Sequence, residues 1–323
     1  MVVFRPGALG DTILSIQAIA ALRERFPGAY VELVGNAAAG ELLKRNGTVD
    51  SVTSFESPRV TELFMTPPRV AAWTGAACIV LWLRQCEQLA ESFRDGGVPV
   101  ILCADPEPAD AHIADHLVAT LAPLGVKHRR LPARKALATL ETLRGPGDAT
   151  PSPPQRLLIH PGSGSIRKNW PPERFAGLAI AWRSRHGGDV ALLKGPADGG
   201  PVEAMARLVR RSGLALTTIE PKNLPDLADC LAAAAGLVGN DSGVCHLSAA
   251  LGTRTVAIFG ATDPARWAPQ GPRVMVLGEQ GAWPTVNDVL AAVERLLFSD
   301  QEHSRAQDES NNEGHTIHES HRP

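Results

Sequence analysis

Short apolar runs rich in β-branched residues alternate along this chain with segments whose apolar positions recur every three or four residues. The first pair is Val2 to Arg5 and Thr12 to Phe26, separated by a glycine-containing turn. The run is typical of a buried strand and the periodic segment of an amphipathic helix. Further strands are predicted at Tyr30 to Val34, Ile79 to Leu83, Val98 to Cys103, Arg156 to His160, Asp189 to Lys194, Gly236 to Val238 and Thr255 to Phe259. Further helices are predicted at Gly40 to Arg45, Ala111 to Leu124, Pro172 to Arg185, Pro201 to Ser212, Leu227 to Ala235, Val244 to Leu251 and Val286 to Phe298. This alternation predicts parallel sheets covered by helices.

The segment from Arg144 to Pro154 interrupts the alternation. It contains four prolines and two glycines, which disfavour helix and sheet and suit an exposed connection. The chain has 323 residues, which exceeds the size of a typical single core, so two domains are expected. We predict an N-terminal domain over residues 1–148 and a C-terminal domain over 149–298. Residues 299–323 form a polar, acidic tail with too few large apolar side chains to offset its ordering entropy, and we expect it to be disordered.

Composition narrows the class of protein. Hydrophobic residues make up 44% of the chain and charged residues 20%, as in ordinary globular proteins. The net charge is -2, and the acidic tail leaves a nearly neutral body, which argues against a nucleic-acid partner. A basic leader followed by an apolar run is absent, and no apolar stretch reaches the roughly 18 residues of a membrane span. We therefore expect a cytoplasmic protein, with peripheral contact to the inner membrane left open.

The five cysteines and the acidic residues lack the spacing of metal sites. The cysteines form no C-x-x-C pair, and we expect reduced, mostly buried thiols. The sequence also lacks a D-x-D pair, a carboxylate arrangement that can hold a divalent metal ion. No metal site is predicted.

The first candidate site is the turn from Gly7 to Asp11, GALGD, between the first strand and the first helix. Glycines such as Gly10 let the backbone approach a ligand, and free N–H groups at a helix N-terminus attract anions. Asp11 is either a carboxylate that caps the helix or a general base facing the crevice at the carboxyl end of the sheet. Position alone leaves both interpretations open.

The second candidate, HPGSGSIRKNWP from His160 to Pro171, repeats this arrangement at the start of the second domain. Its small residues, Ser163 and Gly164 among them, can surround phosphate oxygens, and Lys168 can bring a positive charge to a diphosphate. Lys168 can equally be an ordinary surface lysine.

The third candidate, GNDSGVCH from Gly239 to His246, joins a strand end to a helix. Backbone N–H groups near Ser242 and Gly243 can point at a pyrophosphate. Asp241 would repel phosphate, so it is assigned to orienting the loop or to bonding hydroxyls, with helix capping as the alternative. His246 lies one turn inside the helix and is either a ligand contact or a buried structural histidine. Cys245 adjoins it but points about 100° away, so a Cys–His nucleophilic pair is not expected.

Together, GALGD, HPGSGSIRKNWP and the segment GNDSGVCHLSAALGTRTVAIFGATDPARW resemble glycosyltransferase family 9, the bacterial ADP-heptose:lipopolysaccharide heptosyltransferases. The resemblance implies a GT-B fold, with two Rossmann-like domains whose parallel sheets face a central cleft. It implies Asp11 as catalytic base, with Ser163, Gly164 and Lys168 as diphosphate contacts. Asp241, Ser242, Gly243 and His246 correspond to the donor-binding loop. Where the family often has an acidic residue on the donor ribose, this chain reads KGPADGG, and Asp198 is the candidate.

The implied function is an inverting, metal-independent transfer of a sugar, heptose from ADP-heptose in this family, onto a lipopolysaccharide-core-like or other glycan acceptor. Asp11 would deprotonate the acceptor hydroxyl while Lys168 and the amide of Gly243 stabilise the departing diphosphate. The expected partners are a nucleotide sugar and a glycan or lipid-linked glycan acceptor. Two alternatives stay open: a nucleotide-sugar epimerase of the same architecture, and a non-catalytic protein that binds a nucleotide or glycan.

Overall fold

The computed structural model describes residues 1–107, 110–127 and 156–298. The first two ranges contain a five-stranded parallel sheet with strand order β3-β2-β1-β4-β5. Its strands are β1 (Val2–Arg5), β2 (Glu32–Gly35), β3 (Ser51–Ser54), β4 (Ile79–Trp82) and β5 (Ile101–Ala104). Its helices are α1 (Leu9–Leu14), α2 (Ile16–Arg25), α3 (Ala37–Arg45), α4 (Pro58–Thr61), α5 (Glu87–Asp95) and α6 (Ile113–Ala119).

Residues 156–298 contain a second parallel sheet, of six strands in the order β11-β10-β9-β6-β7-β8. Its strands are β6 (Leu157–His160), β7 (Val190–Leu193), β8 (Thr217–Ile219), β9 (Gly236–Asn240), β10 (Thr255–Ile258) and β11 (Val274–Leu277). Its helices are α7 (Pro172–His186), α8 (Gly199–Arg211), α9 (Leu224–Ala232), α10 (Gly243–Ala250) and α11 (Pro264–Trp267), with α12 over 286–298. The prediction of parallel sheets covered by helices is confirmed in both halves.

The central strands are apolar except at their ends, because helices cover both faces of each sheet. Every residue of β1, β4, β6, β7 and β10 is buried. The last helix packs on the second sheet: Val289 and Val293 are buried in the same cluster as Trp182. Burial of one such side chain contributes about 1.5–3 kcal/mol to stability, so the buried apolar side chains hold the helices on the sheets.

The two halves meet along α1 and α10, and one apolar cluster runs through both. Polar bonds also cross between the halves. The side chains of Gln17 and Gln270 bond to each other, and the ring Nε2 of His112 lies 2.9 Å from the carbonyl oxygen of Ala268. These contacts fix the carboxyl ends of β1 and β9 relative to each other.

Several boundaries differ from the sequence prediction. The single helix expected over Thr12 to Phe26 is two helices separated at Ser15, whose hydroxyl donates to the carbonyl oxygen of Thr12 at 2.7 Å. A side chain that bonds to a carbonyl of the preceding turn competes with the regular backbone pattern. The helix expected from Ala111 to Leu124 is α6 followed by a short 3₁₀ turn at Ala122–Leu124.

The cysteine prediction is wrong for one pair. Cys86, just after β4, and Cys103, on the neighbouring β5, form a disulfide with Cα atoms 5.9 Å apart. The pairing of adjacent strands brings the two residues within the Cα distance that a disulfide needs. Cys78, Cys230 and Cys245 are free thiols, as expected.

Two predictions fall outside the described residues. The domain boundary at residue 148 and the tail over 299–323 both lie there, so they stay predictions. Within the described residues, no helix is both long enough and apolar enough to cross a membrane.

Candidate functional site

The candidate residues lie on loops that leave the carboxyl ends of the strands. In the second sheet β9 lies between β6 and β10, so the loops after these three strands are neighbours. In the first sheet β1 is central, and its loop leads directly into α1. Ligands of parallel α/β sheets bind at this edge.

Asp11 is held by a buried arginine. Arg5, the last residue of β1 and 3% exposed, donates from Nη2 to Asp11 Oδ1 at 2.8 Å. Burial lowers the pKa of the Arg5 guanidinium, and the adjacent Asp11 carboxylate opposes this effect. The second carboxylate oxygen of Asp11 accepts from the backbone N–H of Ala8 at 2.8 Å. Asp11 therefore does cap α1, yet a quarter of its side chain is exposed to solvent (25%).

Gly7 makes room for this carboxylate. Its φ of +133° lies in the region that favours glycine, and a Cβ there would come within 2.6 Å of Asp11 Oδ2. The glycine turn thus permits both the cap and the position of the Asp11 side chain.

The N-termini of α1 and α10 touch through two glycines. A Cβ on Gly243 would lie 2.8 Å from the Cβ of Leu9 and 3.1 Å from the backbone nitrogen of Gly10. A Cβ on Gly10 would lie 3.0 Å from Cδ2 of His246. The absence of side chains lets the two backbones come this close, which brings Asp11, the residue after Gly10, beside the loop that starts α10.

Asp241 is the centre of a buried polar cluster. Its Oδ2 accepts from Lys168 Nζ at 2.7 Å and from the hydroxyl of Thr262 at 2.7 Å. Nε2 of His246 lies 3.9 Å from Oδ1, beyond hydrogen-bond distance but close enough for electrostatic attraction. Burial alone would raise the pKa of Asp241, but His246, Lys168 and Thr262 together lower it to about 2. Asp241 is therefore an anion at neutral pH that ties three loops together.

Ser242 and Asn240 flank this aspartate and organise the backbone. The Ser242 hydroxyl accepts from the N–H of Cys245 at 3.4 Å and caps α10. Asn240 is fully buried, and its side-chain amide donates to the carbonyl oxygens of Pro161 and Gly162 while accepting from the N–H of Trp170. Asn240 thereby fixes both ends of the loop that carries Lys168.

Within that loop, Ser163 and Gly164 differ in surroundings. The hydroxyl of Ser163 lies 2.6 Å from both Ser165 O and Asn169 Oδ1, so it stabilises the turn. Gly164 faces open space, with nothing within 4 Å of a Cβ built there. Lys168 keeps about a third of its side chain exposed (32%). A ligand can reach the backbone at Gly164 and the ammonium group of Lys168.

Asp198 is buried to about the same extent as Asp241 and His246. Its Oδ2 is 2.9 Å from His160 Nε2 and accepts from the N–H of Gly195 at 2.8 Å, and the residue is 6% exposed. Burial raises its pKa, but the bonds from His160 and Gly195 outweigh this effect and lower it overall. Gly162 packs directly on the carboxylate, since a Cβ there would lie 1.8 Å from Oδ1. Asp198 thus connects the β7 loop to the β6 loop.

The surroundings of Cys245 are consistent with the expectation that its thiol does not act as a nucleophile. It is fully buried, and burial raises the pKa of its thiol to about 12, so the thiolate form is negligible at neutral pH. Within residues 1–107, 110–127 and 156–298, no group of three or more His, Cys, Asp or Glu residues is arranged to hold a metal ion.

Sequence reasoning missed the residues that hold the candidates in place. The sequence analysis gave Arg5 no role beyond ending a strand. It quoted Asn240 and His160 within motifs but assigned no function to either. A polar residue at the last position of an otherwise apolar strand is the signal that finds all three, since each ends a buried strand.

Comparison with known proteins gives consistent results. The model of "Glycosyltransferase family 9 (heptosyltransferase)" matches residues 125–289, slightly more than half of the chain. Lipopolysaccharide heptosyltransferase 3 of Escherichia coli (strain K12) is 28% identical over 213 residues, which cover 58% of this chain and 60% of that protein. The chain therefore spans less than two thirds of the length of this curated relative.

Solved structures share the fold. The glycosyl transferase family 9 protein from Veillonella parvula DSM 2008 superimposes with a TM-score of 0.72 at 19% identity, covering 92% of this chain and 97% of that one. E. coli heptosyltransferase WaaC, crystallised with ADP, gives a TM-score of 0.67 at 17% identity, covering 91% of this chain and 99% of that one. The expected GT-B architecture of two Rossmann-like domains is confirmed.

Proposed function

Since this chain belongs to glycosyltransferase family 9, the heptosyltransferase family, we propose that it transfers a sugar from a nucleotide-diphosphate donor onto a hydroxyl group of a glycan acceptor. The observation that carries the proposal is the contact between Gly10 and Gly243. It brings the N-terminus of α1, which carries the partly exposed carboxylate of Asp11, against the N-terminus of α10. The loop just before α10 holds Lys168 through Asp241.

We propose ADP-heptose as the donor and a lipopolysaccharide-core-like or other lipid-linked glycan, met at the inner face of the cytoplasmic membrane, as the acceptor. The similarity to lipopolysaccharide heptosyltransferase 3 and to WaaC, which was crystallised with ADP, supports this choice. The Lys168 ammonium group, the open backbone at Gly164 and the N-terminus of α10 suit a diphosphate. In this scheme Asp241 and His246 meet hydroxyl groups of the donor. Asp198 contributes by bonding to His160 and Gly195, which positions the loops after β6 and β7.

The proposed reaction is a single displacement with inversion at the anomeric carbon. The acceptor oxygen forms a bond to that carbon, and the bond to the diphosphate oxygen breaks with its electron pair on the diphosphate. The proton of the acceptor hydroxyl passes to the Asp11 carboxylate, which Arg5 holds in place. Lys168 and the N–H groups of α10 stabilise the charge that develops on the leaving diphosphate. These groups can do so without a metal ion, so we propose a metal-independent reaction.

The replacement Asp11→Asn tests the role of Asp11. Asparagine still accepts from the N–H of Ala8 but takes no proton, so turnover should fall by about 10²-fold or more while ADP binding is retained. Turnover is followed as ADP release from ADP-heptose in the presence of acceptor. Binding is followed as the thermal shift with ADP, which at 100 times its Kd contributes about 2.7 kcal/mol.

Asp288→Asn is the matched control, because Asp288 also accepts from a backbone N–H at the start of a helix, at 2.9 Å. Equal turnover of the two variants would show that Asp11 only caps α1 and does not act as the base. Conversion of ADP-heptose without any acceptor would favour the epimerase, and binding of ADP with no turnover of the wild-type chain would favour a non-catalytic binding protein.

A further inference from the structure

Arginine side chains are concentrated where three helices of the C-terminal half end. Helices α7 and α8 run back from the carboxyl edge of the second sheet, and α12 runs alongside α7, so all three end at the amino edge. This edge lies opposite the loops of the candidate site. We call the arginines in these last turns, together with the one just before β6, the basic face: Arg156, Arg183, Arg185, Arg210, Arg211 and Arg295.

The three helix ends form one continuous surface with α7 in the middle. On one side α7 packs against α8. On the other side α12 begins beside the first turn of α7, where Arg174 donates to the carbonyl oxygen of Pro284 at 3.0 Å. It ends beside the last turn of α7, where the ring of Phe298 stacks on Trp182 with centroids 6.1 Å apart. The residue that follows Phe298 therefore leaves the folded structure at the basic face.

The basic face carries an excess of positive charge. Two carboxylates lie among its six arginines: Asp189 pairs with Arg156 at 2.5 Å, and Glu294 pairs with Arg185 at 2.9 Å. The exposed arginines that have no ion-pair partner within the described part of the chain are Arg210, Arg211 and Arg295. Each helix C-terminus contributes about half a negative charge, which offsets only part of this excess. Unpaired guanidinium groups on neighbouring helix ends suit an anionic partner that carries several carboxylates.

The acidic segment 299–323 has the charge and the position of such a partner. It follows Phe298 directly and contains six acidic residues and two arginines, so with its histidines neutral it carries four more negative than positive charges. Packed helices lie about 8–10 Å apart, so the end of α8 is about 20 Å from the end of α12, which about six extended residues span. Attachment next to a site gives a segment an effective concentration on the order of millimolar. Charge, reach and attachment therefore favour this segment over a separate molecule.

We propose that the basic face binds the acidic segment 299–323 of the same chain. The carboxylates of the segment pair with the guanidinium groups that have no partner in the folded part, on α8 and α12. The segment thereby covers a surface that would otherwise attract anionic phospholipids or nucleic acid. This contact is independent of the proposed function, because the basic face lies at the edge of the sheet opposite Lys168 and Gly243.

The test is carboxylate-to-amine cross-linking at neutral pH in the full chain carrying Arg211→Lys, with the cross-linked residues identified by mass spectrometry. The substitution keeps the positive charge and supplies an amine that can be coupled. Arg45→Lys is the matched control, because Arg45 is also an exposed arginine in the last turn of a helix, in the other half of the chain. Cross-links to the segment should be several-fold more abundant in Arg211→Lys than in Arg45→Lys. The carboxylates that can react are those of Asp300, Glu302, Asp308, Glu309, Glu313 and Glu319.

Two further measurements separate attraction from mere attachment. In 1 M NaCl, where the Debye length is about 3 Å, the yield of the Arg211→Lys cross-link should fall several-fold. Adding Arg210→Gln and Arg295→Gln to Arg211→Lys should lower it in the same way, whereas adding Lys44→Gln should not. The thermal midpoint of each variant is recorded to verify that it folds.

Several outcomes would overturn the proposal. Equal yields in Arg211→Lys and Arg45→Lys, or a yield that ignores both salt and the loss of the neighbouring arginines, would show that the segment is not attracted to the basic face. Cross-links found mainly between isotope-labelled and unlabelled chains in a mixture would assign the face to a second copy. Co-sedimentation of the wild-type chain with phosphatidylglycerol vesicles, lost in Arg210→Gln/Arg211→Gln, would assign it to a membrane surface instead.

Discussion

Asp241→Asn is the substitution whose effect on the free energy of unfolding follows most directly from the structure. The change keeps the shape of the side chain but removes the charge that Lys168 and His246 stabilise. The pKa of Asp241 is lowered from 3.8 to about 2. At about 1.36 kcal/mol per unit, this corresponds to about 2 kcal/mol of stability at neutral pH, and the side chain is too buried (5% exposed) for solvent to screen much of it.

The sign of the pH dependence follows from the direction of the shift. A carboxylate whose pKa is lowered by folding stabilises the native state above its unfolded pKa and loses that contribution as the pH falls through its folded pKa. The contribution of Asp241 should therefore be complete above about pH 5, fall to roughly half near pH 3 and vanish below about pH 2.

The assay is the thermal midpoint of wild type and variant measured by calorimetry between pH 7 and pH 3. For a domain of this size, about 2 kcal/mol lowers the Tm by about 4–8 °C. Asp189→Asn is the control, since Asp189 pairs with Arg156 at the surface, where such pairs contribute about 1 kcal/mol at most. If Asp241→Asn matched the control at pH 7, or if its deficit did not shrink towards pH 3, the buried cluster would not have the energetic role assigned to it.

Two further predictions concern the donor side. Gly162→Ala should lower the Tm and weaken the thermal shift with ADP, because its Cβ would collide with Asp198 Oδ1, whereas Gly164→Ala in the same loop has open space and should fold normally. Similar Tm values for the two variants would show that the loop adapts. EDTA should leave the rate of ADP release unchanged, and a rate that falls with EDTA and returns with one divalent cation would refute the metal-independent reaction.

Much of the fold could be predicted from the sequence because its strongest signals are local. Apolar strands followed by a glycine turn and a periodic helix appear at Val2 and again at Arg156, and each is present in the structure. The edge strands β3 (Ser51–Ser54) and β8 (Thr217–Ile219) were missed because most of their residues are polar. The residues of β3 are only partly buried, and two of the three in β8 are exposed. The edge strand β11 (Val274–Leu277) was also missed, although its residues are apolar and partly buried.

The candidate site was less accessible to sequence reasoning because it depends on pairs of residues that are distant in the chain. Lys168 was assigned to a diphosphate and Asp241 to orienting its loop or bonding hydroxyl groups. Nothing local in the sequence indicates that the two residues form an ion pair. The Cys86–Cys103 disulfide likewise follows from the pairing of β4 and β5 and not from the spacing of the cysteines.

Because no side chain separates Gly10 from Gly243, substitutions at Gly243 offer a way to vary the separation of the two halves experimentally. The substitutions Gly243→Ala, Gly243→Ser and Gly243→Val place side chains of increasing size between two backbones that are in contact in the structure. Each step should widen the crevice by a small increment, so the series can trap successive degrees of opening in the absence of any substrate, for example for scattering measurements of overall shape.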